Sequence, residues 1–162
     1  MNLVAKVAVT ASVASIVRSL CRWLRLRPPT TTLILFEHDT AQNFVDHGKP
    51  GPGDQFAFAG DVFDRPGGVF LGTTAGICTT ITGDETAGQT SCTGTLNLDG
   101  GQITVQGLAD NAALFGRGET NPLSIIGGNG IYRNARGYGT SQVPPDVPNQ
   151  TDANFVLDVL TG

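Results

Sequence analysis

Lysine is nearly absent from this chain, occurring only at positions 6 and 49, and no acidic residue precedes Glu37. Proteins that grip phosphate backbones need clustered Lys and Arg. Here Lys6, Arg18, Arg22, Arg25 and Arg27 confine the early charge to one short segment, and the body from Pro28 onward is acidic. That balance argues against nucleic acid as a partner. Histidine is equally scarce: His38 and His47 stand without a matching cluster, which speaks against metal or triad chemistry. The three cysteines include no C-x-x-C spacing, so nothing points to a zinc site. The glycine-rich pieces match neither the phosphate-loop nor the dinucleotide pattern. No apolar run is long enough for stable membrane insertion, and no internal repeat is present. The expectation is a protein that works without a cofactor or metal.

What the chain has in excess is glycine, 22 of 162 residues, roughly twice the usual share. Thr and Val are frequent from Thr30 onward. Such a composition describes an all-β globule with many tight corners. The expected organisation is an N-terminal cap and linker over 1–29 and one barrel domain over 30–162.

Two readings compete for the N-terminal segment. Arg18, Arg22 and Arg25 recur at i, i+4 and i+7, with Val13, Ile16, Val17, Leu20, Trp23 and Leu24 on another face, the pattern of an amphipathic helix. Pro28-Pro29 would end it. As a helix it is either a lid that closes over a barrel mouth, with Leu20 and Trp23 against a ligand, or a structural or membrane-surface element. As a signal peptide it has Lys6 before a short apolar core and Ser12-Val13-Ala14 as a weak cleavage pattern. The lid reading places the protein in the cytoplasm, and the signal-peptide reading makes it secreted.

The body divides into strands by alternation and by its corners. Expected strands cover 31–39, 54–64 and 69–81, with a polar loop from Thr40 to Gly53 and a corner at Arg65-Pro66-Gly67-Gly68. Leu96 to Asp99 and Gln102 to Val105 flank Gly100-Gly101 as a hairpin, pairing Leu98 with Ile103 and Leu96 with Val105. One face of that hairpin is apolar, and the other carries Thr95, Asn97, Gln102, Thr104 and Gln106. Alternation alone leaves open whether this polar row lines a ligand-binding lumen or faces water. Residues 123–143 and 154–160 supply the last strands, with a proline-rich loop from Val143 to Pro148. Cys78 and Cys92 sit symmetrically about a hairpin centred near Glu85, which brings them face to face: a disulfide in a secreted chain, buried thiols in a cytosolic one.

The segments carry a family resemblance. Gly127-Gly128-Asn129-Gly130-Ile131-Tyr132 followed by Ala135 and Gly137 resembles the G-G-T-G-x-[FY]-x-x-A-x-G signature of dirigent and allene oxide cyclase-like proteins, with Asn129 in place of the usual Thr. Gly53-Asp54-Gln55-Phe56-Ala57-Phe58, Asp64, Gly68 to Gly72, Gly76-Ile77-Cys78 and Gly101-Gln102-Ile103 to Gly107 follow in the family's order. The resemblance implies an eight-stranded antiparallel barrel, usually a homo-oligomer (dimer or trimer), with a largely apolar lumen. The basic amphipathic extension looks like the cap of the pyrroindomycin-type spirotetramate cyclases, bacterial members that close rings by [4+2] cycloaddition of a linear polyketide. That chemistry needs positioning more than a proton shuttle, metal or nucleophile. The polar candidates are Glu37, Asp61, Gln102, Tyr132 and Arg136 for catalysis, with Gln106, Thr104, Trp23, Leu20 and Phe58 for substrate binding. Gln102, Gln106, Tyr132 or Arg136 would hydrogen-bond a tetronate or tetramate carbonyl. The rivals are a secreted dirigent-like binding protein without catalysis and an allene oxide cyclase-type isomerase.

Overall fold

The computed structural model describes residues 29–45, 51–84, 86–116, 118–146 and 151–161. Their strands are β1 (Thr30–Val45), β2 (Gln55–Phe63), β3 (Phe70–Gly83), β4 (Gly88–Leu98), β5 (Gly101–Asp110), β6 (Thr120–Gly128), β7 (Arg136–Gln142) and β8 (Ala153–Leu160). Each pairs antiparallel with its successor, and β8 returns to β1, so the sheet closes into a barrel. Closure satisfies every sheet edge within the ring. The N-terminal helix, with Leu20 and Trp23, lies outside the described residues. A single helical turn, α1 (Asn111–Phe115), follows β5, and a 3-10 turn at Gly130–Tyr132 separates β6 from β7. Among the described residues no helix is long and apolar enough to cross a membrane.

The strands fill the barrel unequally. Leu35, Val62, Ile103, Ile125, Leu157 and Val159 interlock at one end into a buried core. At the other end the inward positions widen into a cavity. The same strands serve both ends. On β1, Leu35 belongs to the core and Glu37 to the cavity; on β8, Leu157 packs in the core and Ala153 lines the cavity.

Two details depart from the sequence expectations. β1 does not end near Asp39 but continues to Val45, through a bulge that leaves Thr40 between the pairs Asp39–Gly60 and Ala41–Ala59. The extra residue inverts the inward parity, so Glu37 and Asp39 are followed on the cavity side by Gln42 and Phe44. Polar residues and the Gly and Pro that follow them made this stretch resemble a loop. The β4–β5 hairpin turns at Asp99-Gly100, with Leu96 opposite Ile103 and Leu98 opposite Gly101. Gly100, at φ 84, takes the left-handed position of the turn. The shift relative to the expected register is even, so the apolar and polar faces of the hairpin stay as expected.

Candidate functional site

The cavity measures about 410 Å³ and begins where the packed core stops. Glu37 lies at that boundary and is 3% exposed. Its place is made by Gly60 on the neighbouring strand: a side-chain carbon there would fall 2.8 Å from Glu37 Oε1 and 2.7 Å from the His38 carbonyl. Among the described residues, Glu37 Oε1 is a buried oxygen without a hydrogen-bond partner. Burial pushes its pKa from 4.5 up to about 8, with Asp39 and Asp152 adding like-charge repulsion. At neutral pH Glu37 is therefore a neutral carboxylic acid, able to donate a hydrogen bond into an apolar chamber.

Asp39 lines the cavity on the same face as Glu37. Its backbone N–H donates to the buried Asp152 carboxylate at 3.1 Å, and the half-exposed His38 ring lies 3.0 Å from the same oxygen. This pairing ties the approach to β8 onto the outside of β1, directly beside Glu37. Sequence reasoning singled out neither Asp39 nor Asp152. Period-two alternation from Glu37 is the signal that reaches Asp39, whereas Asp152 has no local signature.

The wall above Glu37 is aromatic. Phe56 stands 5.6 Å from Phe44, 6.4 Å from Phe58 and 6.1 Å from Phe115 between ring centroids. Phe58 lies across two glycines of successive strands. A carbon at Gly76 would meet its ring at 2.5 Å, and one at Gly94 at 3.3 Å. Phe115 and Leu114 reach the mouth from α1. That turn is held by Asp110, whose side chain caps Ala112 N–H at 2.9 Å, and by the fully buried Asn111, which accepts from Thr90 Oγ1 at 2.8 Å. Cys78 and Cys92 are register partners on β3 and β4 and form a disulfide that lines the cavity.

Of the residues singled out from the sequence, the structure brings Glu37 and Phe58 together in the cavity. Gln102, Thr104 and Gln106 instead alternate with the buried Ile103 and Val105 and face outward. The polar row of the hairpin is thus the outer surface. Gln102 is also committed elsewhere: its side-chain oxygen accepts from Asn129 at 2.8 Å, and its N–H donates to Asn129 Oδ1 at 2.9 Å. Asp61 faces out from β2, between His38 and Thr73 of the adjacent strands. Tyr132 and Arg136 do not share a strand face. Tyr132 lies in the 3-10 turn and packs against the core, where burial and Asp99 raise its pKa. Arg136 opens β7, exposed, and donates to the Ala135 carbonyl. The sequence candidates that line the cavity are therefore Glu37 and Phe58, with Asp39 beside them.

The residues thus build a closed barrel that is packed at one end and hollow at the other, with a buried acid between. The profile of the allene oxide cyclase barrel-like domain matches residues 32–157, and the chain belongs to that family. Sequence comparison with curated proteins yields no match. Among solved structures the chain is similar to pyocyanin demethylase, at 24% identity and a TM-score of 0.65 over 80% of this chain and 99% of that one. It is likewise similar to the pterocarpan synthase dirigent protein PsPTS1, at 19% identity and TM-score 0.65, covering 83% and 97%. The Diels-Alderase AbmU from Streptomyces koyangensis aligns at 19% identity and TM-score 0.61, covering 98% of this chain and 84% of that one. At these identities the likeness is one of fold. The barrel that these proteins share serves a demethylase, a dirigent protein and a cyclase alike.

Proposed function

We propose that this protein is a cofactor-independent cyclase that folds an extended, unsaturated substrate in its lumen and promotes an intramolecular [4+2] cycloaddition on a linear polyketide. The observation that supports the reading is Glu37: a carboxyl kept protonated at neutral pH, with an unpartnered oxygen, facing an otherwise largely apolar cavity. A carbonyl conjugated to the dienophile would accept the Glu37 proton as a hydrogen bond, which withdraws electron density from the reacting alkene. The aromatic wall holds the chain so that diene and dienophile meet, a contribution of roughly 7–11 kcal/mol in favourable cases. Two C–C σ bonds form as the two π bonds of the diene and the one of the dienophile are replaced by a single new π bond; no proton, electron or group leaves the substrate. Lining residues of acidic or neutral character favour a substrate whose reacting end is an uncharged carbonyl over an ionised tetramate or tetronate.

Glu37 variants provide the test, read as conversion of a linear triene-enone into an isomer of identical mass. Glu37→Gln keeps a hydrogen-bond donor and retains much of the turnover. Glu37→Leu removes the donor and loses about 10²-fold or more. Wild-type turnover in Glu37→Leu would overturn the reading. Total loss in Glu37→Gln would instead indicate proton transfer, the isomerase alternative.

One observation favours a second reading. The Cys78–Cys92 bridge suits an oxidising compartment, and with it a secreted barrel that binds its ligand without converting it. Substrate recovered unchanged from the native protein, together with a cleaved N-terminus, would decide for that reading over the cytoplasmic cyclase.

A further inference from the structure

The charge of the cavity carries a statement about its ligand. Among the described residues that line it, the ionisable groups are Glu37 and Asp39, with Asp152 buried behind them, and no Lys, Arg or His faces the space. An anion entering here would meet like charge with no cationic partner, and unpaired charge in a low-dielectric site is costly. The acids are layered. Glu37 sits at the floor, and Asp39 follows it along β1 toward the mouth. The Thr40 bulge then turns Phe44 inward beside Phe56, and Phe115 closes the ring from α1. Phe44 and Phe115, each packed against Phe56, line the same cavity as the Asp39 carboxyl, and aromatic rings beside an acid favour a cation over an anion. The unpartnered, buried Glu37 oxygen aimed into the same space shows that the floor awaits a polar ligand atom.

Accepting this cavity as the working site, we propose that its ligand carries, at one end, a flat conjugated group bearing a protonated nitrogen, with that group held by Phe44, Phe56 and Phe115 and the nitrogen against the Asp39 carboxylate. A hydrogen-bond acceptor farther along the same molecule reaches Glu37. Long-chain carboxylates are excluded by the same arrangement.

Three tricyclic probes of one shape test this on the full chain: 9-(aminomethyl)anthracene as cation, 9-(hydroxymethyl)anthracene as neutral alcohol, and 9-anthracenecarboxylate as anion. Binding is followed by fluorescence anisotropy at pH 7. The cation is expected to bind at least about ten-fold tighter than the alcohol, the anion weakest, and saturating alcohol should displace the cation competitively. Asp39→Asn, which keeps an oxygen to accept the Ala41 N–H, should bring cation and alcohol to equal affinity without weakening the alcohol. Phe56→Leu should weaken all three. Anion binding as tight as cation binding, cation binding that the alcohol does not displace, or an unchanged order in Asp39→Asn would each overturn the proposal. The wild-type order needs no variant to fold. Should that order reverse while Glu37→Leu still abolishes turnover, this inference fails and the cyclase reading stands.

Discussion

The carboxyl of Glu37 occupies the space that a side chain at Gly60 would need: a Cβ there would lie 2.8 Å from both Glu37 Cγ and Oε1. The floor of the cavity is thus built by two residues on neighbouring strands, one supplying the acid and the other the room. Gly60→Ala should destabilise the fold by about 1–3 kcal/mol and displace Glu37, since the His38 carbonyl blocks escape on the other side. Gly127→Ala is the matched control, because nothing lies within 4 Å of its would-be Cβ. Denaturant midpoints of the two variants check the contrast.

The same acid makes stability depend on pH. Its folded-state pKa of about 8 lies above the ordinary 4.5, so the native state favours the protonated form. The favourable contribution is complete below 4.5 and is lost as pH rises through 8. Relative to Glu37→Gln, wild-type stability should fall by about 1 kcal/mol per pH unit within that window. Parallel denaturant titrations of both proteins at pH 5 and pH 8 measure the difference.

Phe58 depends on glycine in a similar way. Gly76→Ala would press a carbon to 2.5 Å from both the Phe58 ring and the Thr93 carbonyl, whereas Gly94→Ala meets the ring at 3.3 Å. The first should lower stability by about 1–3 kcal/mol and weaken binding of the anthracene probes. The second should do markedly less. Thermal melts and probe titrations on the two variants test the order.

The disulfide closes the β3–β4 hairpin across a sequence separation of 14. For a loop of that size, chain-entropy reasoning assigns about 3 kcal/mol. Cys78→Ser/Cys92→Ser should lose stability of that order, and reductant should lower the melting temperature of the wild type but not of the double variant. A wild-type mass unchanged by reduction would show that the bridge is absent in solution.

Much of the barrel was legible because alternation, turn glycines and the ordered motif segments all describe the same closed sheet. Glu37 and Phe58 were legible as candidates on regular strands, while alternation alone did not tell which strand face lines the lumen. Gln102 misled because its neighbours alternate as a wall should, while its partner Asn129 is 27 positions away in sequence. The Thr40 bulge hid Phe44, since one inserted residue inverts which side chains face in. Asp152 was invisible for a related reason: its role comes from β8 pairing with β1, a contact spanning over a hundred residues. Long-range pairing of this kind leaves no local trace in composition or periodicity.

The central claim is that Glu37 is a neutral acid at the floor of an apolar cavity. Side-chain carboxyl carbon shifts, followed by NMR across a pH titration with Glu37→Gln to assign the resonance, test it most directly. The account predicts that the Glu37 carboxyl remains protonated at pH 7 and titrates near 8. A carboxyl that titrates near the ordinary 4.5 would contradict it and remove the hydrogen-bond donor on which the proposed chemistry depends.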